Sequence, residues 1–80
     1  MAYRIEIAKP AAKVIRSLPA PEKERMLRAI HKLPEEGDIK QMKGAKATGL
    51  FRLRVGDYRV IYSVDNGKLI VYVVDAGNRG

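Results

Sequence analysis

With 80 residues the chain has room for one small domain, and a domain of this size buries only about 60 to 65% of the surface its unfolded chain exposes, so every apolar stripe must be used. The absence of cysteine excludes a disulfide framework and a thiolate metal site, and no apolar run approaches the ~20 residues of a membrane span. Sixteen Lys and Arg against nine Asp and Glu leave a formal charge of +7 and a pI near 10.0, the electrostatic footprint of a nucleic-acid or acidic-protein partner.

That excess is unevenly placed. Between Ile39 and Arg59 stand Lys40, Lys43, Lys46, Arg52, Arg54 and Arg59, against the single acid Asp57. The N-terminus reads directly into structure without a signal peptide, and a cysteine-free chain suits a reducing cytosol, so a cytoplasmic protein without membrane association is expected.

Taken in order, Tyr3 to Ile7 alternates Tyr3, Ile5 and Ile7 with Arg4 and Glu6, which predicts a first strand. Lys9-Pro10 ends it. Ala11, Val14, Ile15 and Leu18 then recur at helical spacing and predict a short helix, stopped by Pro19. Pro21 opens a second helix, with Glu22 and Glu24 in its first turn, a buried stripe of Met26, Leu27, Ile30 and Leu33, and Pro34 at its end. Glu35 to Thr48 has weak periodicity and reads as a loop, with at most a short ordered turn at Ile39 to Met42.

Leu50 to Tyr62 (LFRLRVGDYRVIY) alternates apolar and basic residues with period two, interrupted by Gly56-Asp57. Two such runs separated by a polar pair containing Gly predict a two-residue hairpin. With Val55 and Tyr58 flanking the turn, Arg54 falls opposite Arg59, and Arg52 shares their face. Phe51, Leu53, Val55, Tyr58, Val60 and Tyr62 point the other way. Like charges facing each other across strands are destabilising by up to ~1 kcal/mol, so folding gives no reason for that placement and a polyanion would.

Asn66-Gly67 predicts a second tight hairpin, followed by a central strand from Leu69 to Asp75. Its register sets Leu69, Val71 and Val73 beside Val60, Tyr62 and Val64, and puts Ile70, Tyr72 and Val74 on the arginine side. The expected fold is α+β, ordered β-α-α-β-β-β: a single domain over residues 1–80, with a small, mostly antiparallel twisted sheet and a helical hairpin packed on one face.

Chemistry is narrowed by what is missing. The lone His31 lies on a helix without Cys or paired carboxylates at ligand spacing, so no metal or cofactor is expected. Ser17 and Ser63 have no base nearby in the pattern, and no phosphate-cradling glycine motif occurs. Tyr72, on the arginine side, is the candidate for stacking on a base. Arg52, Arg54 and Arg59, with Arg79 beyond the last strand, form an always-charged donor array suited to phosphate. Such an array can bind RNA or stabilise a pentavalent phosphoryl transition state.

The stretch LFRLRVGDYRVIYSV, followed by a strand and then VVDAGNRG, resembles the RelE branch of the RelE/ParE toxin superfamily, the toxic halves of toxin-antitoxin pairs. The likeness extends to the MAYRIEI opening, the Pro-bounded helical hairpin and the K-x-x-x-x-x-G-L-F-R-L-R-x-G-D-Y-R-V-I-Y core from Lys43 onward. It implies a ribosome-dependent endoribonuclease, or mRNA interferase, that cuts messenger RNA in the A site by attack of the message's own 2′-hydroxyl. It also implies a cognate antitoxin as partner, with an acidic or amphipathic segment that covers the basic face or displaces the chain end.

By the same resemblance Arg59 and Arg79 hold and neutralise the scissile phosphate, while Arg52 and Arg54 orient RNA and assist charge or proton movement. Direct binding to ribosomal RNA is expected to engage Lys40, Lys43 and Lys46 through phosphate contacts and to be strongly salt-dependent. RelE relatives usually continue beyond the G-x-R element with a tyrosine-bearing tail, so stopping at Gly80 implies either a shortened chain or a weakened toxin, and lower activity than full-length relatives is expected. Two rivals stay open: a ParE-like gyrase poison, and a non-catalytic co-repressor acting with its antitoxin.

Overall fold

A computed structural model describes residues 3–42 and 49–78. Among these residues five strands and two helices run in the order β1 (Arg4–Ile7), α1 (Lys9–Ser17), α2 (Ala20–His31), β2 (Asp38–Gln41), β3 (Leu50–Val55), β4 (Tyr58–Asp65) and β5 (Ile70–Asn78). They build one mixed sheet ordered β1-β5-β4-β3-β2, in which β1 runs parallel to β5 and the other neighbours are antiparallel.

The prolines bound the helices as their chemistry requires. Pro10 and Pro21 each sit in a first helical turn, where the missing N–H would have no partner in any case. Leu18, preceding Pro19, is extended with φ −74° and ψ 148°, because the pyrrolidine ring disfavours the helical region for the residue before it. The two helices therefore turn sharply against each other and lie on one side of the sheet.

Ala11 and Ile15 from α1, Leu18 just beyond its end, and Met26 and Ile30 from α2 meet Leu53, Val55, Val60, Tyr62, Val71, Val73 and Ala76 of the sheet. Each large side chain removed from water there stabilises the fold by about 1.5 to 3 kcal/mol. The ring of Phe51 stacks on that of Tyr62 with centroids 5.4 Å apart. Burial pushes the Tyr62 hydroxyl above its ordinary pKa. Among the described residues no charged side chain is buried.

Three expectations are corrected. Residues 38–41 form an edge strand instead of part of a loop. Asp38, Ile39, Lys40 and Gln41 pair with Arg54, Leu53, Arg52 and Phe51, so the pairing supplies the order that the weak pattern does not advertise. The second hairpin is not tight: Asp65 pairs with Ile70 and four residues intervene. The Asp65 carboxylate accepts the Lys68 N–H at 3.0 Å, the Leu69 carbonyl accepts the Arg4 N–H at 2.8 Å, and the Tyr3 hydroxyl donates to Asn66 Oδ1 at 2.7 Å. These contacts carry Leu69, at φ 56°, outside the strand.

The third correction is a bulge. Val71 and Val73 do lie opposite Val64 and Tyr62, but the register shifts between Ile61 and Tyr62, so that Asp75 faces Ile61 and Ala76 faces Val60. Val74 is the extra residue, without a partner in the β4 ladder, and β5 runs on to Asn78.

Gly37 enters β2 at φ +134°, and a Cβ there would lie 2.6 Å from Leu53 Cδ1. Gly37→Ala is expected to destabilise the fold by about 1 to 3 kcal/mol, from backbone strain and displacement of a core leucine, measured by urea unfolding; an unchanged midpoint would contradict the tight approach.

A basic open face as the candidate functional site

The helices cover one side of the sheet, and alternation then assigns the residues of the other. Val55 pairs with Tyr58 across Gly56-Asp57, and Gly56 takes φ 59° while Asp57 does not enter the left-handed region. That combination is a type II′ turn, whose twist matches that of the strands it joins.

A two-residue turn fixes the register, and Arg54 lies directly opposite Arg59. Positions next to the turn-flanking pair are non-hydrogen-bonded, with Cα atoms roughly 4.5 Å apart and side chains closer than at alternate rows. Arg52 follows on the same face, opposite Ile61 on one side and Lys40 of β2 on the other. Four of the basic residues singled out from the sequence, Lys40, Arg52, Arg54 and Arg59, thus occupy two adjacent rows of three neighbouring strands. Lys40 and Arg52 also line a shallow groove with Gln41 and Met42.

Counter-charge is sparse. Asp38 faces Arg54 in the register, but its Oδ2 stands 4.0 Å from Arg54 Nε and the two side chains are 69% and 54% exposed. A solvated pair of this kind contributes about 0 to 1 kcal/mol. Among the described residues no carboxylate pairs with Arg52 or Arg59, and the other ion pair, Arg4 with Glu6 at 3.0 Å, belongs to the far edge strand β1. The face therefore presents guanidinium donors to solvent.

Tyr72 shares this face and is half-buried between Glu6 of β1 and Ser63 of β4. Ser63 is four residues from Arg59, about 13 Å along the strand at ~3.3 Å per residue, so the tyrosine is remote from the Arg54–Arg59 row. Lys43, Lys46 and Arg79 lie outside the described residues.

Two further residues belong near this site. Asp38 tempers Arg54, and only the pairing of β2 discloses it. Arg25 of α2 reaches the turn from the helix side, its Nη1 3.2 Å from where a Cβ on Gly56 would sit. Nothing in the local sequence signals this tertiary contact. Among the described residues no group of His, Cys, Asp and Glu could hold a metal ion, and no helix is long and apolar enough to cross a membrane.

An open, five-stranded mixed sheet with two helices is the architecture of RelE-like toxins. The family model described as the ParE toxin of type II toxin-antitoxin system, parDE, matches residues 5–80. A chain of the archaeal RelE-RelB complex from Pyrococcus horikoshii OT3 is 34% identical, with a TM-score of 0.78 over 100% of this chain and 98% of that one. A chain of the RelBE2 toxin-antitoxin complex from Mycobacterium tuberculosis shares the fold at 20% identity, with a TM-score of 0.82 and coverage of 99% and 100%. The isolated E. coli RelE toxin does so at 22%, with a TM-score of 0.78 and coverage of 99% and 86%. A search of curated protein sequences finds no match. The chain belongs to the ParE toxin family of the RelE/ParE superfamily and is a toxin of a type II toxin-antitoxin system with a RelE-like structure.

Among the described residues Asp38 is the one carboxylate paired with Arg54, and it would compete with any phosphate brought there. Asp38→Asn is expected to tighten binding of a short RNA several-fold at low salt and to steepen its salt dependence, read by fluorescence anisotropy; weaker binding would contradict this role.

Proposed function

We propose that this toxin is a metal-independent, ribosome-dependent endoribonuclease that cuts messenger RNA in the ribosomal A site. The observation that carries the reading is the direct opposition of Arg54 and Arg59 on an open face, with Arg52 two residues along.

In the proposed reaction the 2′-oxygen of one nucleotide bonds to the adjacent phosphorus and the bond from phosphorus to the 5′-oxygen breaks. A 2′,3′-cyclic phosphate and a 5′-hydroxyl result, the proton lost from the 2′-hydroxyl balancing the one gained by the leaving oxygen. The pentavalent transition state carries more negative charge than the ground state. Preorganised guanidiniums aimed at that charge stabilise it selectively.

Arg59 and Arg79 are assigned to the scissile phosphate, and Arg52 and Arg54 to orienting RNA. Their role is electrostatic, because a guanidinium that keeps its proton is a poor general base. Lacking an evident base, the toxin relies on the ribosome to align the 2′-hydroxyl, and free RNA should be cut poorly. Lys40, Lys43 and Lys46 are assigned to ribosomal RNA phosphates, and Tyr72 to a base away from the cut. The setting is cytoplasmic, and the partner is a cognate antitoxin whose acidic or amphipathic segment masks the basic face. The RelE-RelB complex of the 34%-identical archaeal relative supports that pairing.

A second reading, inhibition of a topoisomerase without RNA cleavage, is favoured by the match to the ParE toxin model. Toeprinting on programmed ribosomes decides between them. Wild-type protein is expected to give a discrete cut in the A-site codon, and Arg59→Ala to slow it by about 10² to 10³. Accumulation of DNA breaks with intact message would instead establish the second reading.

A further inference from the structure

The two-residue turn that sets Arg54 against Arg59 has another side. Toward the helices, Val55, Gly56, Asp57 and Tyr58 line a groove of about 270 Å³ whose opposite wall is Glu22 and Arg25 of α2. This lies just below the ~300 to 1,000 Å³ of common small-molecule sites, enough for one planar heterocycle.

Its chemistry differs from that of the open face. The Arg25 guanidinium lies against the turn, its Nη1, Cζ and Nη2 between 3.2 and 3.5 Å from the position of a Gly56 Cβ. Glycine suits the φ of +59° at this position, and the guanidinium packs closely over its backbone. Two carboxylates against one guanidinium give the groove a net negative charge, which disfavours a phosphate. A cationic side chain would meet Arg25 here and Arg54 and Arg59 across the turn. A neutral ring with both donors and acceptors suits it, and the half-buried Tyr58 offers an aromatic surface beside it.

We infer that this groove binds a guanine base of the RNA whose phosphate lies on Arg54 and Arg59. Guanine presents N1–H and N2–H donors to the Glu22 and Asp57 carboxylates, and O6 and N7 acceptors to Arg25, the commonest arginine-base pairing. Adenine lacks the N1–H and the O6, and uracil lacks the amine. The inference extends the RNA-cleaving reading, with Glu22, Arg25 and Asp57 as specificity-determining residues, but base binding is measurable without cleavage.

The test is a titration of the full chain with guanosine, inosine and adenosine 5′-monophosphates, following backbone amides by NMR. Saturable shifts at Gly56, Asp57 and Tyr58 are expected, at least tenfold tighter for the guanosine than for the adenosine nucleotide. The inosine nucleotide, lacking the N2 amine, should fall between them. Glu22→Gln with Asp57→Asn should abolish the preference while leaving amides elsewhere in place. Equal affinities, shifts confined to Arg54 and Arg59, or stronger shifts from a capped lysine than from any nucleotide would overturn the assignment. Guanine-selective shifts from a protein that leaves message intact on programmed ribosomes would support the groove and count against the nuclease reading alone.

Discussion

Opposition of Arg54 and Arg59 is the constraint from which the remaining features of this toxin follow. It is forced by two local facts: a two-residue type II′ turn at Gly56-Asp57, and an apolar set that must face the helices. Once Leu53, Val55, Val60 and Tyr62 are buried, the intervening arginines have one side left to occupy. Slipping the register by one residue would relieve the repulsion and expose the core, each large side chain costing about 1.5 to 3 kcal/mol. Repulsion of up to ~1 kcal/mol loses that contest. The core therefore holds the charges in place, and the charges are left for a ligand.

The scaffold is arranged to keep that face open. Both helices pack behind the sheet, β1 closes one edge by parallel pairing with β5, and β2 flanks the arginines at the other, bringing Lys40 beside Arg52 and Asp38 beside Arg54. A polyanion on this face gains from donors ordered before it arrives, which is the condition under which electrostatic stabilisation of a transition state is effective.

How much of this the sequence disclosed depended on where the determining contacts lie. The β3–β4 register was legible because its alternation and its turn are local. The Asn66-Gly67 signal misled because the turn is governed by distant partners: Tyr3 bonds Asn66, and Arg4 bonds the Leu69 carbonyl. Strand β2 was invisible because Asp-Ile-Lys-Gln carries little strand character of its own and is ordered by β3. Of the site residues, Arg52, Arg54 and Arg59 fall together as the alternation requires, Lys40 joins them only through the pairing of β2 with β3, Tyr72 shares their face at a remove, and Arg25 and Asp38 enter through contacts no spacing announces.

The most direct measurement of the central claim is a double-mutant cycle on Arg54 and Arg59, each replaced by Gln, read by urea unfolding at low salt without RNA. The account predicts an unfavourable coupling of up to ~1 kcal/mol between the two arginines that shrinks as salt is added. A favourable coupling, or none at any ionic strength, would contradict it.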